Sequence, residues 1–168
     1  MENLLEKDLT GSIGSQKYLC TISWRKGSFF MDEPISVGGQ DLGPDPYTAL
    51  LSSLASCTLS TLRMYIDRKG WDIPEINISL NMSQENDTEL TTTISRSITF
   101  PGTVDEDTKN KLLIIAEKCP VSKILKNKTN EAAEGKELKT SDSDKKDIAK
   151  KFGAWLALGG DLKDYGNY

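Results

Sequence analysis

Residues 46–62 carry no charged side chain, and positions 47, 50, 51, 54, 58, 62, 65 and 66 hold helical spacing through and beyond that run. Pro46 suits the first position of a helix, where its missing N–H would have no partner anyway. Gly70 suits the stop, where a left-handed backbone closes the last turn. The spacing therefore predicts one helix from about residue 46 to about residue 68. A surface helix carries charge on its outer face; this one carries none for about four turns, which predicts cover around most of its circumference and a central place in the fold. Cys57 lies in the middle of the run.

The flanks read as sheet and shorter helices. Residues 1–10 read as a loosely docked end. From there, Tyr18, Cys20, Ile22 and Trp24 alternate as the inward face of a strand, followed by a turn at residues 25–27 and a second strand ending before Pro34. "SVGGQDLGPDP", rich in glycine and proline, reads as a loop. After the helix, Ile76, Ile78, Leu80 and Met82 share one strand face, and Leu90, Ile94, Ile98 and Phe100 another, joined by the polar "QENDTE" as a hairpin. "TVDEDTKNKLLIIAEK" is a second helix with Thr103 and Glu106 at capping-box spacing. It must stop at Cys119, because Pro120 cannot continue it; "PVSKIL" then opens a short helix with Pro120 first. Further on, one short strand is expected at residues 137–140 and a helix with Ile148, Phe152, Trp155 and Leu156 on one stripe. This divides the chain into a main domain, 1–142, and a C-terminal helical extension, 143–168.

Composition narrows the chemistry. The chain has 168 residues, 37% hydrophobic and 27% charged, the make-up of one globular domain with a polar surface. Apolar runs fall far short of the roughly 20 residues a bilayer span needs. The acidic start "MENLLEKDLT" does not read as an export signal, so a cytoplasmic protein without membrane contact is expected. Net charge is −4 with lysines interspersed among acids, which offers no basic stripe for nucleic acid. There is no histidine. That removes Ser/His and Cys/His nucleophile pairs, histidine metal ligands and imidazole proton shuttles, and no metal or organic cofactor is expected. Cys20, Cys57 and Cys119, odd in number and widely spaced, read as reduced thiols rather than a disulfide scaffold.

Ser53, Leu54, Ser60 and Thr61 share the helix face of Cys57. Packing explains such a cysteine well, since free cysteine is among the most buried residue types and apolar surroundings make a thiol less acidic. Reactivity needs a cation from elsewhere in the fold: Arg25, Arg63 and Arg96 are available, and Arg63 lies roughly 120° round the helix. Cys119 differs. At a helix N-cap between Lys118 and Lys123, it would have unpaired amides and positive charge to hold a thiolate, so on physics alone it is the more acidic thiol. A plain capping residue is the other reading.

"DEPISVGGQDLGPDPYTALLSSLASCTLSTLRMYIDRKGWDI" followed by "LLIIAEKCPVSKIL" resembles the osmotically inducible protein C and organic hydroperoxide resistance family, over about residues 17–126. The resemblance implies an α+β fold, with antiparallel β-sheets packed around a long central cysteine-bearing helix and two chains interlocked as a homodimer. It also implies a thiol-dependent peroxidase. Cys57 would be the peroxidatic cysteine, attacking a small hydrophobic hydroperoxide, and Cys119 the resolving one, with the disulfide reduced by an external dithiol. Tyr47, Leu50, Leu54 and Thr61 would line the substrate pocket and Arg25 would activate the thiol. Two departures matter. Peroxidases of the family carry Glu where Tyr47 stands, paired with the activating Arg, and tyrosine cannot form that ion pair. Ser122 replaces a histidine often found after the Cys-Pro pair. The alternative expectation is therefore a non-catalytic binding module that holds a small hydrophobic ligand on the same scaffold.

Overall fold

The central helix starts at a carboxylate. A computed structural model, which describes residues 3–86 and 90–127, places Asp45 as the N-cap of helix α1 (Pro46–Lys69). Its side chain accepts the Tyr47 and Thr48 amides at 2.9 and 3.0 Å, two of the N–H groups that have no partner inside a helix. Gly70 ends the helix at φ 65°, its N–H returning to the Ile66 and Asp67 carbonyls. Both ends agree with the sequence reading.

The buried stripe of α1 is Leu54, Thr58, Leu62 and Ile66, one residue per turn. Leu62 and Ile66 pack with Ile73, Leu112 and Ala116, and Tyr65, Trp71, Ile98 and Phe100 close around them. Cover around most of the circumference, expected from the missing charge, is not found among the described residues: Leu50 is 38% and Met64 69% exposed. The apolar and small residues of α1 span more surface than the other described residues cover.

Strands β1 (Thr10–Ile13), β2 (Cys20–Trp24) and β3 (Gly27–Met31) form one antiparallel sheet in that order. The sequence pattern does not predict β1. "TGSI" has no apolar alternation, and it becomes a strand by pairing with the otherwise open edge of β2. A short 3₁₀ turn, Ile35–Val37, interrupts the glycine-rich loop that follows.

Asp32 holds that loop. Buried at the end of β3, it accepts the amides of Tyr18 and Glu33 on one oxygen and of Gln40 and Leu42 on the other, at 2.9 to 3.3 Å. Gly39 sits so close that a Cβ there would lie 1.8 Å from the Glu33 carbonyl oxygen, which excludes any other residue without backbone movement. Burial pushes the Asp32 carboxyl up, but the amides of Leu42, Gln40, Glu33 and Tyr18 outweigh it and hold the pKa below the ordinary carboxylate value. With the folded pKa below the unfolded one, Asp32 stabilises fully above the unfolded value of about 3.9 and loses this as pH falls through the folded value. Asp32→Asn should therefore lower the melting temperature at neutral pH and flatten its fall on acidification. Thermal unfolding of both proteins from neutral to acid pH checks this.

Strands β4 (Asn77–Asn86) and β5 (Leu90–Thr99) form the expected hairpin, antiparallel and longer than the apolar pattern alone suggests. Ile78 faces Ile98, Leu80 faces Arg96 and Met82 faces Ile94, so Arg96 shares the inward register of the isoleucines. Helix α2 (Glu106–Ala116) is capped by Asp105, which accepts the Thr108 amide at 2.9 Å. The Thr103 capping box does not form, because Val104 is drawn against the core and leaves Asp105 at the helix start. Helix α3 (Pro120–Lys126) begins as read, with Cys119 as N-cap and Pro120 at its first position. α1 packs against α2, α3 and β4. Among the described residues no helix is long and apolar enough to cross a membrane. The strand at 137–140, the boundary at 142 and the extension 143–168 lie outside the described residues.

Candidate functional site

Cys57 precedes Thr58 of the buried stripe on α1, so its side chain sits at the edge of the packed face and is half-buried. Cys119 reaches the same place from the corner between α2 and α3. Its amide bonds back to the Ala116 carbonyl at 3.3 Å, Pro120 turns the chain into α3, and its side chain is fully buried. Both are free thiols. They lie close enough that the protonation of each sets that of the other.

The two sulfurs are pushed apart in acidity. Burial raises the Cys57 pKa, and Cys119 adds to the rise as hydrogen-bond partner and as charge; the Val121 amide and the Thr61 hydroxyl act against it. At Cys119 burial also acts upward, but the Cys57 thiol, the Ser122 amide, the Thr58 hydroxyl and the Val121 amide outweigh it, so its pKa lies below the ordinary thiol value. Its sulfur makes no well-aligned capping hydrogen bond; the amides at the start of α3 act on it by proximity and direction of charge. Coupled groups titrate as a pair. Here the direction of the shift favours charge on Cys119 over Cys57.

Behind Cys119 stands a polar chain of contacts. The Arg96 guanidinium donates to Thr58 Oγ1 at 3.3 Å and pairs with Glu117, which also binds Lys126. Glu117 is held ionised first by Lys126 and then, against its partial burial, by Arg96. A cleft of about 390 Å³ opens over this chain, with Leu54, Ile94 and Leu125 as apolar wall and Arg96, Glu117 and Lys126 as polar rim.

Of the residues expected in a substrate pocket, Leu54 lines this cleft. Thr61 lies beside Cys57, its hydroxyl donating to the Cys57 carbonyl at 2.8 Å. Leu50 and Tyr47 are exposed farther toward the start of α1 and do not line the cleft, Tyr47 with 55% of its surface open. Arg25 lies in the β2–β3 turn with its guanidinium 5.6 Å from the Trp24 ring centre. Arg63 donates to the Pro74 carbonyl at 3.1 Å and braces the turn after α1. Among the described residues, Arg96 is the arginine bonded to a residue beside the sulfurs, through Thr58 Oγ1. Its sequence signal is parity: an arginine in the same alternate register as Ile94 and Ile98 must point inward.

The profile of OsmC-like proteins matches residues 38–132. The chain belongs to the OsmC-like protein family. Both cysteines of the pair, with Thr58, Arg96 and Glu117, fall within the matched segment; Arg25 lies before it. The OsmC-like protein of Mycoplasma pneumoniae is 22% identical, with a TM-score of 0.56 over 73% of this chain and 89% of that one. The organic hydroperoxide resistance protein OsmC of Legionella pneumophila is 16% identical, with a TM-score of 0.57 over 74% of this chain and 91% of that one. The organic hydroperoxide resistance protein OhrB of Bacillus subtilis is 19% identical, with a TM-score of 0.54 over 73% and 91%. At these identities the likeness establishes the α+β OsmC-like fold with its antiparallel sheets. No curated protein sequence matches the chain.

Proposed function

We propose that this OsmC-like protein is a thiol-dependent peroxidase that reduces organic hydroperoxides. The observation that carries the reading is the meeting of two free thiols from distant parts of the chain, one buried and the more acidic, the other half-buried and the less acidic, behind a partly apolar cleft whose lining includes Leu54, Arg96 and Ser122 but neither sulfur. Hydroperoxide resistance proteins with the same fold support it.

The chemistry balances within the pair. Cys57 passes its proton to Cys119 and its sulfur attacks the terminal oxygen of R–O–O–H. The S–O bond forms as the O–O bond breaks, and the alkoxide leaves with the electron pair and recovers that proton from Cys119 to become the alcohol. Sulfur is oxidised by two electrons and the hydroperoxide reduced by two. Cys119 thiolate then attacks the Cys57 sulfur, the S–S bond forms, and the departing hydroxide takes a proton from solvent. An external dithiol supplies two electrons and two protons to restore both thiols. Such a dithiol is a cytoplasmic reductant, which fits a reduced cysteine set. A second copy of the chain would cover Leu50 and Met64 on α1, so we place the working protein as a homodimer.

The test is oxidation of the Cys20→Ser protein by cumene hydroperoxide. Two thiols per chain should be lost, mass spectrometry should find Cys57 joined to Cys119, and dithiothreitol should restore both. Unchanged thiol content would sink the peroxidase reading. One observation favours a second reading: the Cys57 pKa is raised and Tyr47 stands where an acid would be needed for the ion pair. On that reading the cleft binds a small hydrophobic molecule without turnover, and a fluorescent apolar probe should bind saturably to a protein inert toward hydroperoxide.

A further inference from the structure

We infer that Arg96, acting through Thr58, is the positioning residue that holds negative charge on Cys119. Hydroxyl orientation is the physical basis. Arginine only donates hydrogen bonds, so at 3.3 Å from Thr58 Oγ1 it takes a lone pair of that oxygen and leaves the hydroxyl proton free to point elsewhere. Thr58 is fully buried, and the acceptor beside it is the Cys119 sulfur. Thr61, the other hydroxyl near the pair, directs its proton to the Cys57 carbonyl at 2.8 Å. Each hydroxyl favours charge on the sulfur beside it, Thr61 at Cys57 and Thr58 at Cys119, but it is Thr58 that accepts from a guanidinium.

Charge follows the same line. One carboxylate, Glu117, is shared by Arg96 and Lys126, so the cluster keeps a net positive charge. The Arg96 side chain is only 15% exposed, so its field is less screened than that of a surface lysine. Facing Cys119 are Cys57 and Thr58 from α1 and the Val121 and Ser122 amides from α3; behind Thr58 are Arg96 of β5, Glu117 of the α2–α3 corner and Lys126 of α3. Lys118 and Lys123, its neighbours in sequence, are exposed. The cation bonded to Thr58 is thus supplied across the fold.

The consequence for catalysis rests on the peroxidase reading: the guanidinium serves the thiol that resolves. With Cys119 ready as thiolate, its sulfur attacks the Cys57 sulfenic sulfur, an S–S bond forms, the S–O bond breaks and hydroxide leaves.

A titration that needs no peroxide decides the inference. In the full chain carrying Cys20→Ser and Cys57→Ser, Cys119 is the only thiol, and thiolate ultraviolet absorbance follows its ionisation. Thr58→Val, which keeps the shape and removes the hydroxyl, should raise the midpoint by about one pH unit, and Arg96→Met by a similar amount. Thr58→Ser should keep the parent midpoint. Should Arg96→Met fail to fold, Thr58→Val still decides. An unmoved midpoint in Thr58→Val overturns the inference. In a chain carrying only Cys20→Ser, Thr58→Val should also lengthen the life of the dimedone-trappable Cys57 sulfenic acid about tenfold. If no sulfenic acid forms in the parent, the peroxidase reading falls while the titration result stands.

Discussion

Replacing Cys57 with serine is expected to lower hydroperoxide reduction by at least about a thousandfold while the protein stays folded. Cys57 is half-buried at the edge of the packed stripe, so losing the larger sulfur should cost the fold less than about 1 kcal/mol. The chemical loss is far greater. A serine hydroxyl needs a base to become a nucleophile, and the chain has no histidine to act as one. Cys119→Ser should behave differently. Cys119 raises the Cys57 pKa, so its removal lowers that pKa and leaves more Cys57 thiolate at neutral pH. The first oxidation should consume one peroxide per chain and form the Cys57 sulfenic acid, and under excess peroxide a second should carry it to sulfinic acid, after which consumption stops. Peroxide consumption and intact mass of the two variants check both expectations. A Cys57→Ser protein that keeps the parent rate would remove Cys57 from the reaction.

Leu62→Ala should cost about 2–5 kcal/mol and lower the melting temperature by roughly 10 °C. Leu62 has no exposed surface and packs at the junction of α1 with α2, among Ile66, Ile73, Leu112 and Ala116. Truncation leaves a cavity that four neighbouring side chains on three different segments cannot close together. Met64 is the control on the same helix, 69% exposed within one chain. Met64→Ala should cost about 0.5 kcal/mol or less if that face meets solvent. A larger cost that depends on protein concentration would show that a second copy covers it. Thermal unfolding at two concentrations separates the cases.

Much of the frame is legible in the amino-acid order alone. Asp45, Pro46 and Gly70 mark the ends of α1 by local backbone requirements, and Cys119 with Pro120 marks the start of α3 in the same way. The β4–β5 hairpin follows from alternation. The departures also have causes. β1 has no apolar signature because its strand state comes from an edge that pairs with it. Thr103 loses the α2 cap to Asp105 because packing of Val104 sets where the helix begins. The apolar breadth of α1 announces cover but not its source, since composition cannot say whether a neighbouring element or another chain supplies it.

Within the site the division is sharper. The sequence marks Cys57 and Cys119 as the thiols worth asking about, and ranks Cys119 as the more acidic from its place before Pro120. Which cation stands behind them is settled only by tertiary structure. Arg96 and Thr58 are 38 positions apart, and their contact depends on how the β4–β5 hairpin is laid against α1. Helix caps and strand parity are written in neighbours three or four, or two, residues away, so the amino-acid order determines them directly. A meeting of sulfur, hydroxyl and guanidinium from three elements has no such local code, because it is fixed by the packing of their apolar faces, which carries the polar groups along with it.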